Sequence, residues 1–205
     1  MLKHVARKGR GRKLRLFAVA CCRRAWERIP DETCRRAVEV AERFADGQAS
    51  HQERREVERA AAGLCDPRVI DYRYLAYHVI AGMRYSYHMA SSVAEVANWV
   101  VTGRPGSEGP EALAESAAQC GLLREVFGNP FRPVVLASAW LAWNDGTIPK
   151  LAQAIYDERA FERLPVLADA LEEAGCTGPD LLGHCRQPAE HARGCWAVDF
   201  LLGKS

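Results

Sequence analysis

No stretch of this chain approaches the roughly 20 consecutive apolar residues that a membrane-spanning helix needs. The apolar run nearest the N-terminus, Leu16 to Cys22, is seven residues long, follows Arg15 and is closed by Arg23-Arg24. An export signal requires a longer apolar core, so the cleavage-like string Ala18-Val19-Ala20-Cys21 reads as part of a helix. Strand-like alternation does not persist over even six residues, which argues against a sheet-based fold. The phosphate loop, the dinucleotide fingerprint, HExxH and the GxSxG nucleophile elbow are all missing, and with them the chemistries that those spacings serve. The eight cysteines include no CxxC pair and are dispersed through apolar helical patterns. That excludes a dense disulfide framework and points to a cytoplasmic chain with reduced thiols and no membrane association.

What is present is a 205-residue chain, 48% hydrophobic and 26% charged, long enough to bury a core. The net charge of +2 conceals an asymmetry, because residues 1–28 hold ten Lys and Arg against the single acid Glu27. The first fifteen residues carry seven basic side chains, two glycines and no acid, which predicts a flexible basic arm over 1–13. Lys3, Arg7, Lys8, Arg10, Arg12, Lys13 and Arg15 could neutralise nucleic-acid phosphates. No aromatic residue interleaves them and no base-reading motif follows, so a solubilising tail is the simpler reading.

From Leu14 the chain turns helical. Leu14, Phe17, Ala18, Cys21, Cys22 and Ala25 recur on one face of a helix reaching about Ile29, which makes Cys21 and Cys22 core residues and not a metal pair. A second helix carries Cys34, Ala37, Val38, Ala41 and Ala45 to a glycine stop at Gly47. Ser50-His51-Gln52-Glu53 has the form of a capping box and opens a third helix to about Leu64. Asp66-Pro67 reads as the start of a tyrosine-rich segment to 101, with Tyr72, Tyr74, Tyr77, Tyr85 and Tyr87, which Gly82 bends or divides; packing between helices is the simpler reading of its aromatics. TGRPGSEGP at 102–110 predicts a linker between an N-terminal helical half, 14–101, and a C-terminal half, 111–205. In the second half, Leu113, Ala117, Cys120, Leu123 or Arg124, and Phe127 share a helix face. Two prolines keep an irregular segment near 128–137 out of helix. Helices are expected from Ser138, from Thr147 after an Asn144-Asp145-Gly146 turn, over Leu164 to Ala174, and from Pro179 to Cys185. The fold expected is an all-α multi-helix bundle.

The strings CCRRAW, AVEVAERFADG, FGNPFRPV, LAQAIYDERAF, LPVLADALEEAGC and HCR with HARGCWAVDFLLGK together resemble an uncharacterised family of helical proteins greatly expanded in planctomycete bacteria. The resemblance covers about residues 14–64 and 120–204, and the C-terminal motif is its most specific part. It implies a helical fold and carries no established activity. The tyrosine-rich middle and the strongly basic start depart from the family pattern.

Chemistry concentrates between Cys176 and Trp196, where three of eight cysteines and two of six histidines fall. Zinc in a structural site takes four N or S donors in a tetrahedron. Cys176, His191 and Cys195, with either His184 or Cys185, could supply them. Adjacent helical residues diverge, so only one of the last two can ligate, and His184 gives a Cys2His2 set. His191 and Cys195 are expected one helical turn apart. The competing reading is a packed helical end in which the cysteines are core and the histidines bond backbone carbonyls. The function expected is a non-catalytic interaction or regulatory module, with structural zinc as its cofactor if any. The rivals are a nucleic-acid-associated protein, using the basic arm with Arg23, Arg24, Arg35 and Arg36, and a zinc-dependent enzyme with Glu190 or Asp199 near the metal.

Overall fold

The computed structural model describes residues 11–66, 68–82, 86–103, 106 and 108–204, with side chains from 90 onward in the helix that starts at 86. It is all-α, with no strand among the described residues. The helices are α1 Gly11–Arg24, α2 Glu32–Ala45, α3 His51–Leu64, α4 Tyr72–Ala81, α5 Ser86–Thr102, α6 Pro110–Phe127, α7 Ser138–Ala142, α8 Thr147–Glu158, α9 Leu164–Glu173, α10 Pro179–Arg186 and α11 Trp196–Leu201. They form two compact units, Met1–Leu123 and Arg124–Ser205, with the boundary inside α6.

The first unit is built around α1, which packs along α2, α4 and α5. Every residue from Leu16 to Cys22 is buried, so this helix is enclosed on several sides and needs the unbroken apolar run that a half-exposed helix would not tolerate. Its basic flank is fastened as well: Arg12 pairs with Asp46 at 2.9 Å, and Lys13 is 5% exposed. Helix α1 therefore begins inside the stretch expected to be flexible, and Arg12, Lys13 and Arg15 belong to it. Lys3, Arg7, Lys8 and Arg10 lie outside the described residues. At the other end Arg23 pairs with Glu42 at 3.1 Å and stands 4.2 Å over the Trp26 ring. Arg24 grips Glu115 through Nε and Nη2 at 3.0 and 2.8 Å, and Arg35 donates to the Ile29 carbonyl at 2.7 Å. Three of the arginines proposed for a nucleic-acid surface thus serve the unit's own packing.

Side-chain caps set the starts of α2, α3 and α4. Asp31 accepts from the Cys34 N–H and Ser50 from the Glu53 N–H, each at 3.0 Å. The Glu53 carboxylate turns to Arg43 and leaves its half of the capping box open. Helix α4 starts at Asp71, which accepts from Arg73, and not at Asp66. The helices on either side of the 102–110 segment, α5 and the greater part of α6, both belong to the first unit, so the boundary between units does not fall there. Asn98 of α5 donates to the Ala112 carbonyl and to Ser116 of α6, both at 3.0 Å, tying the flanking helices together.

The second unit has its own core, in which Tyr156, Leu164, Leu167, Leu171, Leu181 and Val198 are fully enclosed. Burying each large aliphatic side chain contributes about 1.5–3 kcal/mol. Arg193 and Lys204 cap the Tyr156 ring from 4.8 and 4.4 Å. After α6 the chain turns at Gly128, whose φ of +62° is left-handed and whose N–H closes the helix on the Arg124 carbonyl at 2.8 Å. A Cβ there would sit 3.0 Å from the Trp196 ring carbons. Left-handed strain and overpacking act together, so Gly128→Ala should destabilise the protein by about 2–4 kcal/mol. Thermal melting monitored by circular dichroism checks this; a shift below a degree or two would show that Trp196 gives way freely.

Candidate metal centre

Three pieces of the second unit converge on one buried point. Glu125 comes from the last turn of α6, His184 from the last turn of α10, and His191 and Cys195 from the irregular segment joining α10 to α11. That segment is not the helical turn expected between His191 and Cys195. Pro188 has no N–H for a helix to use, and Gly194 has a φ of +94°. Cys195 is instead the residue before α11, with a non-helical backbone at φ −41° and ψ 125°.

The donor atoms of these four residues all lie within 4.8 Å of one another. Glu125 Oε2 is 3.1 Å from His191 Nδ1 and 3.3 Å from His184 Nε2, and His184 Nε2 is 3.2 Å from Cys195 Sγ. Donors around a tetrahedral zinc with bonds of about 2.0–2.3 Å stand roughly 3.3–3.7 Å apart, so these three edges need a few tenths of an ångström to receive an ion. Cys195 is fully buried, Glu125 is 3% exposed and His184 9%. The Trp196 ring lies 5.1 Å from the His184 ring, and Phe161 stacks 6.3 Å from His191. Gln187 reaches the outer edge, with its carboxamide nitrogen 3.2 Å from His184 Nδ1.

Both histidine contacts of Glu125 fall on Oε2. The other oxygen, Oε1, is buried and has no hydrogen-bond partner among the described residues. A buried carboxylate oxygen left unbonded is costly, and native structures contain few of them. The surroundings bear the same stamp. Burial lowers the His184 pKa against the pull of Glu125, and His191 lowers it further. Burial also works to lower that of His191, but the Glu125 hydrogen bond and charge, with a bond to the Gln187 backbone, outweigh it and leave the pKa raised. The Cys195 thiol is held well above its ordinary value by burial first and then by Glu125.

Among the residues expected to ligate, the structure brings His184, His191 and Cys195 together. Cys176 is not in the group; it is buried in the second unit's core after α9, and Glu125 takes the fourth place. Cys185 also faces that core, where burial, Glu125 and Cys176 push its thiol up to about 12. Sequence reasoning missed Glu125 and Gln187. The inward row of α6 runs Ala112, Glu115, Gln119, Leu122, Glu125 and Val126, whereas Leu113, placed on the expected apolar face, is 65% exposed and Cys120 is exposed. The available signal was an acid three residues beyond Leu122, on the helix face continuous with it.

The order Cys195, His184, Gln187 also imitates a nucleophile, its base and an orienting amide. Reactive cysteines are accessible and have lowered pKa values. Cys195 has neither property, so the arrangement suits coordination and not thiolate attack. Compared with models of protein families, with curated proteins and with solved structures, the chain shows no match in any of the three.

Proposed function

We propose that the second unit is a zinc-binding helical module, in which Glu125, His184, His191 and Cys195 hold the ion and the ion has a structural role. The observation that carries this is the meeting of four donors at one buried point, all within 4.8 Å of one another, on a carboxylate that reaches both histidines through Oε2 while its second oxygen has no hydrogen-bond partner among the described residues. A divalent cation would neutralise that carboxylate and accept the thiolate in one step. A mixed N, O and S set suits zinc better than the all-oxygen preference of magnesium or calcium. The HCR and HARGCW strings that resemble the planctomycete family hold three of the four donors. Four protein ligands close the coordination sphere, which favours a non-catalytic interaction or regulatory module.

The zinc-enzyme reading assigns Glu125 differently. Its free oxygen would then bind a zinc-bound water as general base, with the two histidines and Cys195 as the only protein ligands. Glu125→Gln separates the two: the structural site should lose most of its zinc, whereas a site with Glu125 as base should retain it. Elemental analysis of freshly purified wild-type protein should find about one zinc per chain. A content well below one equivalent would end the metal reading.

A further inference from the structure

We propose that Gln187 controls occupancy of this site by setting which nitrogen of His184 carries the proton. This rests on the zinc reading and concerns a residue outside the ligand set. Gln187 caps α10, with its N–H bonded to the Gly183 carbonyl at 3.0 Å, so its backbone is fixed at the edge of the cluster. From there its carboxamide nitrogen faces His184 Nδ1 at 3.2 Å.

Without metal the hydrogen bonds form a consistent set. The Gln187 amide donates to Nδ1 of His184, which places that ring's proton on Nε2, and Nε2–H then faces Glu125 Oε2 and Cys195 Sγ. Nε2 in that state is a donor and cannot ligate. To bind zinc through Nε2 the ring must carry its proton on Nδ1, and Nδ1–H would then meet the amide N–H2 of Gln187, donor against donor. Turning the carboxamide by about 180° replaces the nitrogen with the acceptor Oε1 and removes the conflict. The proton count is unchanged at His184, because one proton leaves Nε2 and one is taken up at Nδ1. Gln187 can therefore support the metal-free cluster in one amide orientation and the zinc site in the other. A carboxylate at this position would support only the second.

Zinc affinity measured by competition with a chromophoric chelator, alongside 15N spectra of the imidazole rings, tests this in the full-length protein. In wild type, the His184 proton should move from Nε2 in the chelated protein to Nδ1 on adding Zn2+. Gln187→Met, which preserves length without hydrogen bonding, should weaken zinc binding by about 10–100-fold, the range found for outer partners of ligating histidines. Gln187→Glu should bind at least as tightly as wild type and should show Nδ1–H before any zinc is added. If Gln187→Met folds normally and binds zinc like wild type, or if the His184 proton does not move, the role of Gln187 is refuted and the zinc site stands. If wild type binds no zinc at all, both fall. Should Gln187→Met melt early, the proton position in Gln187→Glu decides the matter by itself.

Discussion

Cys195→Ser is expected to weaken zinc binding by about a hundredfold or more. Structural zinc sites have apparent binding free energies of about 10–16 kcal/mol, so one of four ligands accounts for roughly 3 kcal/mol, or two orders of magnitude in affinity. Serine is a poor substitute, because its hydroxyl stays neutral near pH 7 and its oxygen is a harder and smaller donor than the thiolate. The informative control is Cys185→Ser. Cys185 is as deeply buried as Cys195 but faces Cys176 and the core, so its replacement should lower stability while changing zinc affinity little. Chelator competition on both variants measures the contrast. Equal losses of affinity would mean that the two thiols have been assigned the wrong roles.

Removing the metal should be nearly as consequential for stability. A ligand that binds only the folded state stabilises it by about 4 kcal/mol when its free concentration is a thousand times its dissociation constant. For a unit of this size that corresponds to a fall of roughly 15 °C or more in melting temperature on chelation. Scanning calorimetry with and without EDTA provides the measurement, and superimposable melts would refute a structural role. The effect should also shrink in acid. Zinc needs the Cys195 thiolate and both rings neutral, so protons compete with it as pH falls. The metal-free protein follows the opposite trend through His191. Its raised pKa makes the protonated ring paired with Glu125 stabilising, fully so below the ordinary value of 6.5, and that contribution is lost as pH rises through the raised value. The two melting curves should therefore converge at low pH and separate above neutrality.

The helical character of the chain was readable from local chemistry, because caps such as Asp31 and Ser50 act within a few residues of themselves and apolar spacing reports burial directly. Cys21, Cys22 and Cys34 are buried for the same reason. That only one of His184 and Cys185 could ligate followed from geometry, since neighbours on a helix face different ways, but which of them was left open until the fold placed the first in the cluster and the second in the core. Long-range partners were harder to read. Nothing in the local sequence marks Glu115 as buried; its inward position is explained only by Arg24, 91 residues away. Glu125 was hidden in the same manner, because an acid on an apolar row is ambiguous until its partner is known, and the nearest of its partners in sequence is far downstream. Arg12 and Lys13 failed in the other direction. Composition made them part of a free arm, whereas Asp46 gives one of them a fixed place. The linker at 102–110 misled because glycine and proline mark a change of direction equally well inside a domain and between two.

The two ends of the ligand set have a topological consequence. Glu125 and His191 meet although 66 positions separate them along the chain, whereas His184 and Cys195 are only 11 apart. An ion joining all four would close nearly the whole second unit into a ring. In a chain-entropy picture, closing a loop of that length restricts the unfolded ensemble by about 4 kcal/mol, comparable to a disulfide. Helices α8 and α9 contribute no ligand, yet they would be threaded inside the loop and could not fully separate until a coordinate bond broke. The lifetime of the folded unit would then be governed by the rate of zinc release, a clasp that opens on removal of the ion without any change in redox state.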